Sequence, residues 1–285
     1  MPELPEVQTI VDDLNRKIKG ETIVSFWSAW AKGLNNPVAK FREAIKNKKI
    51  INVERKGKYI ILNLDGGKAI AMHLRMTGHL LVKSEKLKVK SYGRDYFEDR
   101  VNQYVRHIFY LKGGKTIEFS DVRKFGKLIL ADAGKLYQVK GIKDLGVDAM
   151  SSSFDLLKLN KILDGRKTKI KELLLNQTVI AGIGNIYASE ILHEAGILPD
   201  RASQSLVLAE RKKLYSAIKK ILKKAIRMRG TSDSDYRDTS GAPGNFQKAL
   251  KVYRRAGKKC AVCGTIIQRK VIGQRSTFYC PKCQK

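Results

Sequence analysis

The sequence predicts an α+β chain: an N-terminal helix with an antiparallel β-sandwich domain, then a helical domain, then a small C-terminal module organised by four cysteines. Three observations predict this. Short strand-like runs separated by glycine turns fill residues 50–130, helical periodicity takes over between 154 and 228, and every cysteine lies between Cys260 and Cys283.

The first element is a helix. Val7, Ile10, Val11, Leu14 and Ile18 fall on one face at helical spacing, and Gly20 ends it. Pro5 suits a first turn, and Glu3 and Glu6 suit the positive end of the helix dipole. Pro2 precedes them. An initiator methionine is usually trimmed before proline, which would leave a free secondary amine with carboxylates one and four residues later. Such an amine attacks an electrophilic carbon and forms an iminium, which is covalent catalysis of the amine type. The helix dipole favours the neutral amine and pushes its pKa down from ~8. The plainer reading is that these residues are simply a good helix start.

Strand-like runs follow at 50–53, 59–64, 69–74, 107–111, 116–119 and 127–130, with hairpin signals at Asp65-Gly66-Gly67 and Gly113-Gly114. Residues 84–102 are polar, charged and irregular, and read as a mobile surface insertion. After a break at 134–153, helical runs occupy 154–163, 170–175, 186–195 and 205–228. Residues 231–245 form a polar, glycine-bearing loop, long enough to suspect function. The expected boundaries are a sandwich domain over 1–133, a linker over 134–152, a helical domain over 153–238, and the loop end with the cysteine module over 239–285. No internal repeat is visible.

Charge bounds the partner. Lys and Arg number 57 against 27 Asp and Glu, a formal net charge of +30. An excess of that size points to a polyanion, although a solvated basic surface is the bland alternative. No carboxylate follows Asp238, while that tail is rich in Lys and Arg. No apolar run approaches the ~20 residues a spanning helix needs, and the start of the chain does not read as a signal peptide. Nucleic acid is therefore the expected partner rather than a membrane, and the cytoplasm the expected compartment.

The cysteines are spaced Cys260-x2-Cys263, sixteen residues, then Cys280-x2-Cys283. Two such pairs match a four-thiolate tetrahedral zinc site, and in a cytosolic chain thiols stay reduced. Disulfides are the alternative. The module is too short to bury a core alone, so one structural zinc should supply much of its folding energy. Val262, Ile266, Ile267, Val271, Ile272, Phe278 and Tyr279 read as two strands joined by a turn at Gly273. Arg275 lies at that turn, placed to reach phosphate.

Four interior segments carry possible chemistry. Lys58 sits at the mouth of a strand, where a solvated lysine is the default. Met76 follows His73 at a strand end before a turn. Arg123 and Phe125 lie two apart, on one side of an extended segment. Met or Phe at a loop tip is usually local packing, but on a basic protein it can be a wedge inserted between bases. Gly182 to Tyr187 is a tight glycine turn opening a helix, a place where exposed amides bind phosphate. It also reads as a plain turn between packed helices.

Taken together and in order, PELPEV, KGKY, HLRMTG, DVRKFG, GIGNIYASEIL and QRSTFYCPKCQK resemble the bacterial formamidopyrimidine-DNA glycosylases over essentially the whole chain. Those are bifunctional glycosylase/lyases that repair oxidised purines. The resemblance implies a helix–two-turn–helix DNA-binding domain and a zinc finger, acting on damaged duplex DNA at the nucleoid; a monomer is the default expectation. It implies Pro2 as the nucleophile at C1′, Glu3 as the acid/base that opens the sugar, and Glu6 as a supporting carboxylate. Lys58 would position DNA and move protons in β-elimination, and Arg275 would grip phosphate and assist δ-elimination. Asn185 would hold phosphate. Met76, Arg123 and Phe125 would fill the gap left by the flipped nucleotide, and residues 231–245 would close over the extruded base. His73, Arg166 and Lys167 are further candidates for phosphate contact.

Some positions depart from the family pattern. Gln8 replaces a common acidic residue, and 103–107 replaces a histidine-rich stretch, so that Tyr104 is a candidate DNA contact. A retained Met1 would block the nucleophile. Two other readings stand beside this one. The sister glycosylases for oxidised pyrimidines begin differently, with glycine where Leu4 stands. A non-catalytic damaged-DNA binder would need neither Pro2 nor Glu3.

Overall fold

The computed structural model describes residues 1–84 and 96–285, so the middle of the polar insertion lies outside the described residues. Backbone proximity divides the chain into two compact units. The first is Met1–Lys143 with Met228–Gln247, and the second is Asp144–Arg227 with Lys248–Lys285.

The first unit opens with α1 (Leu4–Ile18), whose Leu4, Val7, Ile10, Leu14 and Ile18 are fully buried. Each such side chain contributes roughly 1.5–3 kcal/mol on burial. Then come β1 (Thr22–Ser28), α2 (Val38–Ile45), β2 (Lys48–Lys56), β3 (Tyr59–Leu64), β4 (Lys68–His73), β5 (His79–Ser84), β6 (Val105–Leu111), β7 (Lys115–Ser120), β8 (Lys127–Asp132) and a short α3 (Ala133–Leu136). The strands are ordered β5-β7-β6-β1-β2-β3-β4-β8, with antiparallel neighbours throughout. Only Thr22↔Lys49 and Ile23↔Lys48 join β1 to β2, so two four-stranded halves meet at a narrow seam. Both halves contribute to one core: Phe26, Leu80, Phe109 and Phe119 from one, Val53, Ile60, Ile70 and Leu128 from the other. That is the sandwich the strand pattern predicts.

Among the elements that were not legible in the sequence, three have a clear physical reason. In β1 a register shift between Ile23 and Ser25 breaks the period of two, so the buried residues Ile23 and Phe26 stand three apart. In β5 the first four residues are all buried and show no alternation. Helix α2 buries only Phe41 and Ile45, too few to reveal a period. The described end of the insertion also differs from the mobile segment expected there. Residues Tyr96–Glu98 and Arg100–Gln103 form 3₁₀ turns, and buried Asn102 donates to the carbonyls of Tyr96 (2.5 Å) and Gly241 (3.3 Å).

The second unit contains the two-residue parallel pair β9 (Val147–Asp148) and β10 (Ile180–Ala181). Its helices are α4 (Leu156–Leu163), α5 (Ile170–Leu175), α6 (Asn185–Ala195) and α7 (Leu208–Arg227), and it ends in the hairpin β11 (Gln268–Ile272) and β12 (Arg275–Tyr279). Helix α6 is buried along almost its whole length, and α7, which packs on α6 and α4, buries Leu214, Ile218, Ile221 and Leu222. Glu190 of α6 fixes the start of the C-terminal segment. Its carboxylate accepts the backbone N–H groups of Lys251, Val252 and Tyr253 at 2.8–2.9 Å. Burial pushes its pKa up, against the pull of those three donors.

Candidate functional site

Pro2, Glu3 and Glu6 are all buried where α1 begins. Glu3 caps the helix in a reciprocal capping box, with the backbone N–H of Glu3 donating to Glu6 Oε2 at 2.7 Å. The other oxygen, Glu6 Oε1, accepts the Thr231 N–H at 2.7 Å. Gly230 must be glycine here: its φ is +78°, and a Cβ would stand 2.6 Å from Glu6 Oε1. One carboxylate therefore joins the start of α1 to the first residue of the 231–245 loop.

A second tie lies further along α1. Asp13 accepts from Arg229 Nη2 at 2.6 Å and from Thr239 Oγ1 at 3.0 Å, and Arg229 Nη2 also reaches Asp238 at 2.6 Å. Burial opposes the charge on Asp13, yet Arg229, Thr239 and Arg16 hold its carboxyl below the usual range. Burial likewise opposes the charge on Arg229, and the two carboxylates outweigh it, raising its pKa. The sequence reading missed this triad. Its one signal was an acid on the helix beside apolar Ile10 and Leu14.

Lys58 occupies the β2–β3 turn and is only 5% exposed, so it is not the solvated lysine that is the default at such a position. His73 ends β4, opposite Tyr59 in register and edge-on to its ring at 4.6 Å. Burial, then the charges of Arg75 and Lys58, pushes His73 down to about 3. Its Nδ1 accepts the Arg75 N–H at 3.0 Å, which leaves the proton on Nε2. His73 can thus offer a phosphate a neutral N–H donor rather than a cation.

Two deeper histidines make the first unit acid-sensitive. Burial holds His79 and His107 at about 4, against 6.5 when unfolded. Between those values the unfolded chain binds protons that the folded chain refuses, so stability present above pH 6.5 is lost as pH falls toward 4. At pH 5 each histidine should cost ~2 kcal/mol. Urea titrations at pH 7 and pH 5 check this: the midpoint should fall at pH 5, and His107→Asn should fall less. A variant with an unchanged pH slope would contradict the assignment.

Met76 and Phe125 project from two turns with 43% and 46% exposure. The Arg123 guanidinium lies 4.6 Å above the Phe125 ring, and its Nη1 is 3.1 Å from Met76 Sδ. The three wedge candidates thus stand together. Tyr104 lies at the base of this group: its carbonyl accepts the Asp121 N–H at 2.9 Å, and Arg106 sits 5.8 Å over its ring. Asp121, whose carboxylate lies under the Arg123–Phe125 turn, was not among the predicted site residues.

In the second unit Asn185 opens α6, and its Nδ2 donates to the carbonyl of Ser276 at 3.1 Å. This puts Asn185 beside Arg275, the exposed first residue of β12. Gly273 and Gln274, at φ +54° and +59°, make the two-residue hairpin turn before it. Fully buried Lys171 supports Asn185 from behind. Its Nζ donates to Ser189 Oγ at 2.9 Å, and that hydroxyl donates to the Asn185 carbonyl at 3.0 Å. Arg166 and Lys167 are exposed between α4 and α5, and among the described residues no hydrogen bond or ion pair ties them to Asn185 or Arg275.

Cys260, Cys263, Cys280 and Cys283 have sulfurs within 4.8 Å of one another, and none is in a disulfide. Four converging thiolates are the donor set of a closed tetrahedral zinc site, so these residues fit one structural zinc. Around them Val252, Ile267 and Phe278 form a small separate core.

Three family models match the chain. They are the formamidopyrimidine-DNA glycosylase N-terminal domain over residues 1–128, the H2TH domain of the same enzymes over 145–237, and the zinc finger found in FPG and IleRS over 257–285. The formamidopyrimidine-DNA glycosylase of Pelotomaculum thermopropionicum is 42% identical over all of this chain and 99% of its own. The Lactococcus lactis Fpg solved with DNA containing Fapy-dG is 30% identical, covering 99% of this chain and 100% of its own, with a TM-score of 0.86. The same enzyme has been solved with DNA containing an oxidised pyrimidine, at 31% identity, full coverage of both chains and a TM-score of 0.86.

Proposed function

Since the chain belongs to the formamidopyrimidine-DNA glycosylase family, DNA-repair enzymes with a zinc finger, we propose that it excises oxidised purines from duplex DNA through the amine of Pro2. The observation that carries this is the start of α1, where Pro2 is buried beside two buried carboxylates at the positive end of a helix.

With Met1 removed, the Pro2 nitrogen bonds to C1′ of the damaged nucleotide as the bond from C1′ to the base breaks. The nitrogen sheds its proton and the departing base takes one up, and Glu3 protonates the sugar ring oxygen as the ring opens, leaving an iminium. The iminium acidifies the neighbouring sugar carbon, so loss of a proton there expels the 3′ phosphate. Lys58, held out of bulk water, moves that proton. A second elimination expels the 5′ phosphate, which Arg275 grips. Glu6 acts through geometry, since its two oxygens hold Glu3 and Thr231.

The lesion base must leave the stack to be reached, which costs a few kcal/mol. Met76 and Phe125 enter the gap, Arg123 faces the orphaned base, and Asn185, His73, Arg166, Lys167 and Tyr104 hold the flanking strand, chiefly by its phosphates. The 231–245 loop, tied to Glu6 and Asp13, closes over the extruded base. Zinc bound by the four cysteines supplies rigidity to the hairpin that bears Arg275. On this reading the protein is a monomer of the cytoplasm, working at the nucleoid. Among the described residues no helix is long and apolar enough to cross a membrane.

Single-turnover excision from duplexes carrying 8-oxoguanine, a formamidopyrimidine or thymine glycol tests the substrate class. Purine-derived lesions should be released at least ~10-fold faster than thymine glycol, the discrimination that one or two shaped contacts provide. The opposite order would favour the oxidised-pyrimidine reading, which the Lactococcus lactis complex with such DNA keeps specific.

A further inference from the structure

We propose that Asp121, with Thr77, is a positioning residue that assembles Met76, Arg123 and Phe125 into one preset wedge before DNA arrives; this rests on the wedge role given above.

Asp121 is fully buried in a chain of formal net charge +30, yet no ion pair among the described residues includes it. Its carboxylate is spent instead on the backbone of the wedge turn. Oδ2 accepts the N–H groups of Phe125 and Gly126, both at 2.8 Å. Oδ1 accepts the Arg123 N–H at 3.2 Å and the hydroxyl of Thr77. Thr77 belongs to the other turn, directly after Met76, and its Oγ1 accepts the same Arg123 N–H at 3.1 Å. One buried carboxylate and one hydroxyl thus lock two turns from distant parts of the sequence.

Both turns need such a lock. Arg75, just before Met76, has φ +54°, and Lys124, just before Phe125, has φ +55°. Neither is glycine, and side chains rarely adopt that region. Strained residues persist where surrounding structure over-determines them, and hydrogen bonds to an ionised carboxylate are the strong kind. Gly126 lets the turn sit close, because a Cβ there would strike the Phe119 ring. A preset wedge loses little freedom on insertion, so more of its contact energy goes into opening the stack.

The test compares two reactions of each variant. One is excision of 8-oxoguanine from a duplex, which needs the wedge. The other is cleavage of an abasic site in a single strand, which has no stack to open. Thr77→Val keeps the shape of Thr77 and removes both of its hydrogen bonds, and Asp121→Asn sets an amide against at least one N–H donor. For each, the ratio of the two rates should fall about 10-fold relative to the unaltered protein, equivalent to ~1.4 kcal/mol. The fluorescence of 2-aminopurine opposite the lesion should report slower opening. Both rates falling together with the melting temperature, or an unchanged ratio, would overturn the proposal. If the unaltered protein cleaved abasic strands but excised no lesion, the oxidised-purine reading itself would fail instead.

Discussion

Pro2→Gly is expected to slow single-turnover excision by at least ~10³-fold, about 4 kcal/mol of barrier, while binding to the damaged duplex changes little. The substitution trades a secondary amine for a primary one and removes the ring that fixes the nucleophile against α1. The carboxylates of Glu3 and Glu6 remain, so the helix start and its capping box stay in place. The nucleophile touches one carbon of the substrate, whereas binding draws on many phosphates and on the wedge. A non-catalytic damage binder would show no difference between the two proteins. Single-turnover rates and a binding titration at one stated salt concentration separate these outcomes.

Loss of the metal should act on the other unit. Cys263→Ser, or a strong chelator, is expected to take zinc from one per chain to none and to melt the hairpin that bears Arg275. Structural zinc in finger peptides is worth an apparent ~10–16 kcal/mol, far more than the few side chains around these cysteines can supply. Those side chains are Val252, Ile267 and Phe278. Damaged-duplex affinity should fall at least ~100-fold, about 2.7 kcal/mol, because the phosphate grip at Arg275 is lost. The core that α1 shares with both sheet halves is a separate cluster from the one around the cysteines, so an upper unfolding transition should survive. A disulfide module would behave differently, resisting the chelator and yielding to a reductant. Metal analysis with thermal unfolding reads both.

Much of this was legible in the sequence because the signals were local. The period of α1, the glycine hairpins and the cysteine spacing each sit within a few residues. The resemblance added the order of the motifs and so the candidate site. What stayed hidden depends on contacts between distant segments. Nothing near Asp13 announces Arg229 or Asp238, and nothing near Glu6 announces Thr231. Lys58 read as solvated in isolation because a lysine at a turn usually is, and nothing in its local sequence shows that it is buried. Asp121 was visible within a quoted motif, but its task appears only once Thr77, forty-four residues earlier, is seen beside it. Strands β1 and β5 were missed for a related reason, since a bulge and two-sided burial both erase the alternation that marks a strand.

The central claim is that the amine of Pro2 attacks the sugar. Borohydride trapping on an 8-oxoguanine:cytosine duplex, with the intact mass of the protein read in parallel, tests it most directly. The account predicts a covalent protein–DNA adduct on Pro2, from protein whose mass shows that Met1 is gone. A trimmed, zinc-loaded protein that binds the duplex and yields no adduct would contradict it.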